Sequence, residues 1–449
     1  MWYIGSNIIS RGISFLFTPI FTRLLTPREY GIYSLYLSLM GIFTVLTTFQ
    51  MSGNLIYRGC ARFGVEERKR FLSSALGALA LTSGISLVLL LLFGGVIAPL
   101  LSVNTAILIL LTIQIFLSSA EGFYLARCRY EGNYHTVAAL NIAVGIITPL
   151  LSLFLIKAGL GGYSRIISPL LISLAVATPL TVKIIKDGKR LVWGEGWRFI
   201  FKMTLPMLPH FIASSVIAQG DKIILAHLFG DAVLGKYGAA YSIGFIPSQL
   251  TSAVLVALSP WIIRKMRSGQ KNAVKDAILS SAKVSGYATL AFLAILPELF
   301  YAAVAPEYRE ALPIAYAVSL SVVFSFLAAA ISICILHYEK PMLITKNSLI
   351  TAGAAIALTY ILAIKLGYIG ASLSPFLAYA LLFLLNGRSV MKISGKAGSV
   401  KIALPLSLFL VFAALIFFLR ESFTARLLIA IAIGLTALPE VKKCKNLLF

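Results

Sequence analysis

Residues 23–39 read RLLTPREYGIYSLYLSL, and 204 positions later residues 227–243 read HLFGDAVLGKYGAAYSI. Leu24, Gly31, Tyr33 and Ser38 of the first stretch fall on Leu228, Gly235, Tyr237 and Ser242 of the second. A second match keeps nearly the same register. Tyr130-Glu131 is followed 28 residues on by Gly159, and Tyr338-Glu339 is followed 28 residues on by Gly367. Either match alone is weak; two in register point to an internal duplication. With six spanning helices in each copy, both copies start on the same side of a membrane, as parallel repeats about an axis along its normal.

The membrane setting follows from composition. The chain of 449 residues is 59% hydrophobic and 12% charged, where an ordinary soluble chain carries about 25% charged residues. Fourteen apolar segments can be laid along it, roughly 2–22, 32–53, 71–93, 103–126, 134–156, 165–185, 203–229, 237–263, 277–301, 311–336, 342–364, 368–386, 400–419 and 424–438. A spanning helix needs about 20 such residues. Lys and Arg gather in every second gap, as in Arg58, Arg62, Arg68, Lys69 and Arg70 or Arg264, Lys265, Arg267, Lys271 and Lys275, whereas turns such as 94–102 are uncharged. This alternation predicts both termini in the cytoplasm. The expected fold is all-α and polytopic, with an N-lobe at 1–186, a cytoplasmic linker at 187–198 around Lys186-Asp187-Gly188-Lys189-Arg190, Trp193 and Trp197, a C-lobe at 199–386, and two further helices with a basic tail at 387–449.

The formal charge of +23 does not predict nucleic-acid binding, because the basic residues lie in short gaps beside apolar spans rather than on one surface. Anionic lipid headgroups are the expected counter-charge. Apolar sequence starts at Trp2 without a basic region before it and runs too long for a signal-peptide core, which predicts a retained first helix. Cys60, Cys128, Cys334 and Cys444 fall on or near the cytoplasmic side, so a reducing environment without disulfides is expected. The acidic residues form no paired cluster in an outer loop, the four His are widely spaced, and no P-loop or HExxH is present. No metal or organic cofactor is expected, and a transporter is favoured over an enzyme.

Two like lobes place a transport site between them, so polar residues inside spans are the first candidates. Arg11 lies about 13 Å along a core of about 30 Å, counted from Trp2. It faces a cavity, or the helix starts later, or Arg11 reaches the inner headgroups, since one central Arg costs only about 3 kcal/mol. Asp221 and Lys222 sit in the seventh segment and point about 100° apart, so they do not pair simply. They suit a gate, an ion-coupling site or an interface. Arg58 and Asn54, after the second segment, suit an entering anionic headgroup or the positive-inside pattern alone. His210 and Glu121 suit proton carriers or plain hydrogen-bonded residues. Pro19, Pro206 and Pro209 free backbone groups for a bend or an aqueous cavity.

FTPIFTRLLTPREYGIYSLYLSLMGIF (17–43), with Pro27, Glu29, Tyr30, Gly31 and Tyr33, resembles the first-to-second helix signature of the polysaccharide flippases of the multidrug/oligosaccharidyl-lipid/polysaccharide exporter superfamily. DKIILAHLFGDAVLGKYGAAYSIGFIP (221–247) is similar to their seventh-to-eighth helix signature through Asp221, Leu225, Gly235, Tyr237, Ala240 and Tyr241. APEYREALPI (305–314) resembles their outer segment before the tenth helix. The resemblance implies a V-shaped pair of six-helix bundles that works by alternating access. It also implies a substrate made of an oligosaccharide on a polyprenyl (di)phosphate, turned to the outer face of the cytoplasmic membrane, with glycosyltransferases or a glycan polymerase as partners. Fourteen helices are similar to the peptidoglycan-lipid subgroup, whose last two helices help hold the lipid tail. Such a headgroup needs a basic wet cavity, since an anion in hydrocarbon is very costly. Arg11 is the first candidate to bind it bidentately, followed by Lys222, Arg23 and Arg58. Membrane potential or a coupling ion would drive transport. The alternatives are a drug or cation antiporter of the same superfamily and a non-transporting scaffold of a glycan synthase.

Overall fold

The computed structural model describes residues 17–52, 54–394 and 403–448. They are all-helical. The helices are α1 (residues 17–24), α2 (Pro27–Thr48), α3 (Asn54–Arg62), α4 (Val65–Leu100), α5 (Thr105–Tyr130), α6 (Tyr134–Leu155), α7 (Ser164–Gly188) and α8 (Gly194–Thr204), then α9 (Leu208–Gly244), α10 (Ser248–Arg267), α11 (Lys271–Ala303), α12 (Leu312–His337), α13 (Pro341–Ala371), α14 (Leu373–Ser394), α15 (Ala403–Phe418) and α16 (Phe423–Leu448). Nine helical stretches among the described residues are long and apolar enough to cross a membrane, two of them joining consecutive passes. Exposed side chains such as Leu91, Leu92 and Phe93 of α4 mark a protein surface suited to lipid rather than water. The chain is a multi-pass membrane protein.

Local sequence explains the helix boundaries. Pro27 opens α2 behind Thr26, whose hydroxyl accepts from the Glu29 amide while the Glu29 carboxylate accepts from the Thr26 amide at 2.9 Å, a reciprocal cap. Asn104 and Asn133 cap α5 and α6. The second apolar segment is not one straight span: Phe49 and Gln50 take positive φ (49° and 56°) and end α2, and a strongly amphipathic α3 follows. The eighth is also broken, at residues 245–247 between α9 and α10. Gly159 and Gly367, matched in the repeat, both take positive φ (91° and 68°) at the turns after α6 and within α13. Gly230 does the same at 77° and divides α9 into two passes.

The chain forms two compact units. The first runs to Ser215 and includes Lys222–Gly235; the second comprises Val216–Asp221 and everything from Lys236. In the first, α5 packs on α2, α4 and α7, and the buried Tyr36 hydroxyl donates to Gln114 Oε1 at 2.5 Å. The basic linker is bound to this unit. Trp197 Nε1 donates to the Ser74 carbonyl at 2.9 Å, and Trp193 and Phe199 pack on Phe63. Gly188 and Gly77 leave no room for a Cβ, because the Lys69 and Leu191 backbones lie against them. Also in this unit, α2 crosses the segment after Gly230 so closely that a Cβ on Gly31 would strike the Asp231 carbonyl and one on Gly235 the Pro27 carbonyl.

In the second unit α12 is apolar on all sides and largely buried, flanked by α10, α11 and α14. Asn386 of α14 donates to Ser332 Oγ at 3.0 Å and accepts from Asn347 Nδ2 of α13 at 2.9 Å. Such interhelical bonds contribute about 0.6 kcal/mol each in membrane proteins. Two ion pairs fasten α16 to α11. Arg426 is bidentate to Glu298 (Nη1 to Oε2 2.8 Å, Nη2 to Oε1 2.5 Å), and Lys283 meets Glu440 at 2.5 Å.

Candidate functional site

Arg11 lies outside the described residues. Arg23 is exposed near the end of α1, and Arg58 is exposed on α3, which Asn54 opens. Between Arg23 and Arg58 runs the whole of α2, whose 22 residues extend about 33 Å at 1.5 Å per residue. One phosphate cannot meet both at once. They suit opposite ends of a path. Glu121 is half-buried on α5 and makes no hydrogen bond or ion pair among the described residues; His210 is half-buried near the start of α9, with its ring 5.5 Å from that of Phe211.

Asp221 and Lys222 are both buried in α9, at 4% and 6% exposure. Asp221 belongs to the second unit, where its Oδ2 accepts from the buried Tyr237 hydroxyl at 2.6 Å. Tyr237 is followed on the same helix by Tyr241, ring centroids 6.0 Å apart, and Tyr241 stacks on Phe245. A carboxylate held by a phenol within a span is an acceptor site suited to a proton or a small cation. The repeat explains its position: Tyr237 is the counterpart of Tyr33. In the first unit Tyr33 instead accepts from Arg165 Nη2 at 3.0 Å, while the Arg165 guanidinium lies 4.1 Å from the Phe21 ring centre and 3.7 Å from that of Tyr33.

An apolar cavity of about 440 Å³ lies in the second unit among α11, α12, α15 and α16. Leu290, Leu327, Leu406, Phe409, Phe412 and Ile433 line it, with Lys283 at its wall. In the segment 305–314, Glu310 accepts from Lys236 Nζ at 2.9 Å and from the Tyr368 hydroxyl at 2.6 Å. Cys60, Cys128 and Cys334 are buried free thiols. Burial pushes the Cys60 thiol up to about 11 against the opposing pull of Arg68, so it is inert near neutral pH.

Sequence reasoning treated charges at segment edges as headgroup anchors and therefore passed over Arg165 and Arg426. The signal was an Arg within three residues of a span's start, next to aromatic residues. Nothing in the spacing distinguishes it from a snorkelling residue.

The fold and the sequence agree with known proteins. The structure of the lipid II flippase MurJ in an inward closed conformation is similar at a TM-score of 0.71, with 17% identity over 96% of each chain. An inward-facing multidrug resistance MATE family transporter of the MOP superfamily is similar at 0.62, with 15% identity over 88% of this chain and 96% of that one. The Vibrio cholerae MATE transporter VcmN, in a mutant form, is similar at 0.53, with 14% identity over 89% and 97%. No curated protein sequence matches significantly. The sequence model for the family described as polysaccharide biosynthesis protein matches residues 1–266. The chain belongs to the polysaccharide biosynthesis protein family and is built on the fold of the multidrug/oligosaccharidyl-lipid/polysaccharide flippases.

Proposed function

We propose that the protein is a flippase that moves an oligosaccharide linked to a polyprenyl phosphate or diphosphate across the cytoplasmic membrane by alternating access, with both termini in the cytoplasm. The observation that carries this reading is that a member of a polysaccharide biosynthesis family holds an apolar cavity of about 440 Å³ walled in part by the two helices outside its internal repeat. An aliphatic tail suits that cavity, since each buried CH₂ contributes about 0.8 kcal/mol. The phosphorylated head needs cations, and Arg11 is the first of them, with Lys222 deep in α9 and Arg58 and Arg23 toward opposite ends of the path. An inside-negative potential favours outward movement of an anion by about 2.3 kcal/mol per charge per 100 mV. Asp221 is the coupling-ion acceptor in this reading, with His210 and Glu121 as further proton sites. Glycosyltransferases supply the substrate and a glycan polymerase consumes the product.

The test is reconstitution of the full chain in vesicles with a fluorescent lipid-linked sugar, read by headgroup accessibility from the far side. Wild type speeds its appearance, Arg11→Ala abolishes this, and Arg11→Lys keeps part of it. Full activity in a well-folded Arg11→Ala protein sinks the assignment of Arg11. No acceleration by the wild type favours a scaffold, and movement of cationic dyes in place of the sugar lipid favours an antiporter built on Asp221.

A further inference from the structure

A second cavity, of about 240 Å³, opens at the basic end of the second unit among α10, α11, α12 and α14. Its wall combines two chemistries. Ile278, Ile331, Phe383 and Leu384 form an apolar floor, and Lys271, Lys275 and Arg388 stand around it. Among the described residues none of these three cations pairs with a carboxylate. Tyr338 also lines the cavity, and its hydroxyl is buried without a hydrogen-bond partner among the described residues. A buried phenol left so is costly unless a ligand completes it.

The internal repeat provides a comparison within the molecule. Tyr338 is the counterpart of Tyr130, and the start of α11 that of the start of α4. In the first unit Arg68 closes this corner: its guanidinium lies 4.5 Å from the Tyr130 ring centre and its Nε donates to the Cys60 carbonyl at 3.0 Å. In the second, Lys271 stands 5.8 Å from the Tyr338 ring centre, and the corner holds a cavity instead.

We propose that this cavity binds one anionic phospholipid of the surrounding bilayer, its phosphate held by Lys271, Lys275, Arg388 and the Tyr338 hydroxyl and one acyl chain against the apolar floor. Basic pockets between helices at the cytoplasmic surface recognise anionic headgroups in this way. The site is separate from the cavity at α15 and α16 and depends on the membrane setting, not on what the protein transports.

The test is native mass spectrometry of the full chain in detergent, titrated with phosphatidylglycerol and phosphatidylcholine. The wild type is expected to retain one phosphatidylglycerol in preference to phosphatidylcholine. Replacing Lys271, Lys275 and Arg388 by Ala weakens that retention about a hundred-fold, and Tyr338→Phe weakens it about tenfold. Replacing Lys186, Lys189 and Arg190 by Ala removes the same charge from the first unit and leaves retention unchanged. Gly387, which lines the cavity with open space at its Cβ position, supplies a variant that keeps every charge: Gly387→Phe fills the cavity and also releases the lipid. Equal loss in both triple variants, or unchanged retention after Gly387→Phe, overturns the proposal. So does displacement of phosphatidylglycerol by one equivalent of polyprenyl phosphate, which would make the cavity a substrate entry.

Discussion

The ion pair between Arg426 and Glu298 predicts an unequal response to removing its two halves. The Arg426 side chain is 2% exposed and that of Glu298 is 45% exposed, so one charge is committed to the interior and the other keeps its water. Glu298→Ala leaves a buried guanidinium whose remaining hydrogen bond among the described residues runs from Nη1 to the Ala294 carbonyl. Stranding a buried charge costs about 3 kcal/mol at the lower end of its range. Arg426→Met removes the charge together with the Nε that has no hydrogen-bond partner among the described residues and keeps an unbranched stem of similar length, so its cost stays within about 1 kcal/mol. For a unit of this size, about 2–4 °C per kcal/mol places Glu298→Ala about 6–12 °C below wild type and Arg426→Met within about 4 °C of it. The double variant should melt with Arg426→Met, because the stranded charge is gone. The assay is recovery of monodisperse protein by size-exclusion chromatography after stepwise heating in detergent. An Arg426→Met protein that melts at or below Glu298→Ala refutes the argument that burial sets the cost.

At the helix crossing, Gly31→Ala and Gly235→Ala should each abolish recovery of folded monomer, since the atoms in the way are backbone carbonyls; Gly84→Ala, with open space at its Cβ, should be neutral or slightly stabilising. Tyr237→Phe removes a hydroxyl that donates to buried Asp221, a loss of about 1–3 kcal/mol. It should cut transport at least tenfold in the vesicle assay with recovery of monomer intact, and unchanged transport would remove Asp221 from the coupling role.

The all-helical membrane fold was legible because hydrocarbon imposes a simple rule on the sequence: long apolar runs with basic residues on alternate sides. Gly31 with Gly235, and Gly159 with Gly367, were visible as repeat matches, and the structure gives each a reason in close packing or positive φ. Less was legible where tertiary contacts override the run of apolar residues. Phe49 and Gln50 carry no turn signature, yet they end α2 a few residues before the expected end of the span at 53, and an amphipathic α3 follows beyond it. The linker read as a glycine-broken basic stretch, but its docking through Trp197 onto Ser74 depends on a partner 123 residues away. Of the site, buried Asp221 was found as a charge inside a span. Its tyrosine partner was not, because a phenol in an apolar helix reads as an ordinary aromatic residue.

The crossing at Gly31 and Gly235 is reciprocal. Pro27 is to Asp231 as Gly31 is to Gly235, and each glycine receives the carbonyl that its counterpart's own helix supplies. The patch is self-complementary, each side offering a bare Cα and a carbonyl to the other. Such a patch sets a rule for change in either segment, because what fills the space on each side is backbone. The two segments are separate stretches of one chain, so each half of the contact changes alone, and bulk gained on one side has to be matched by retreat on the other.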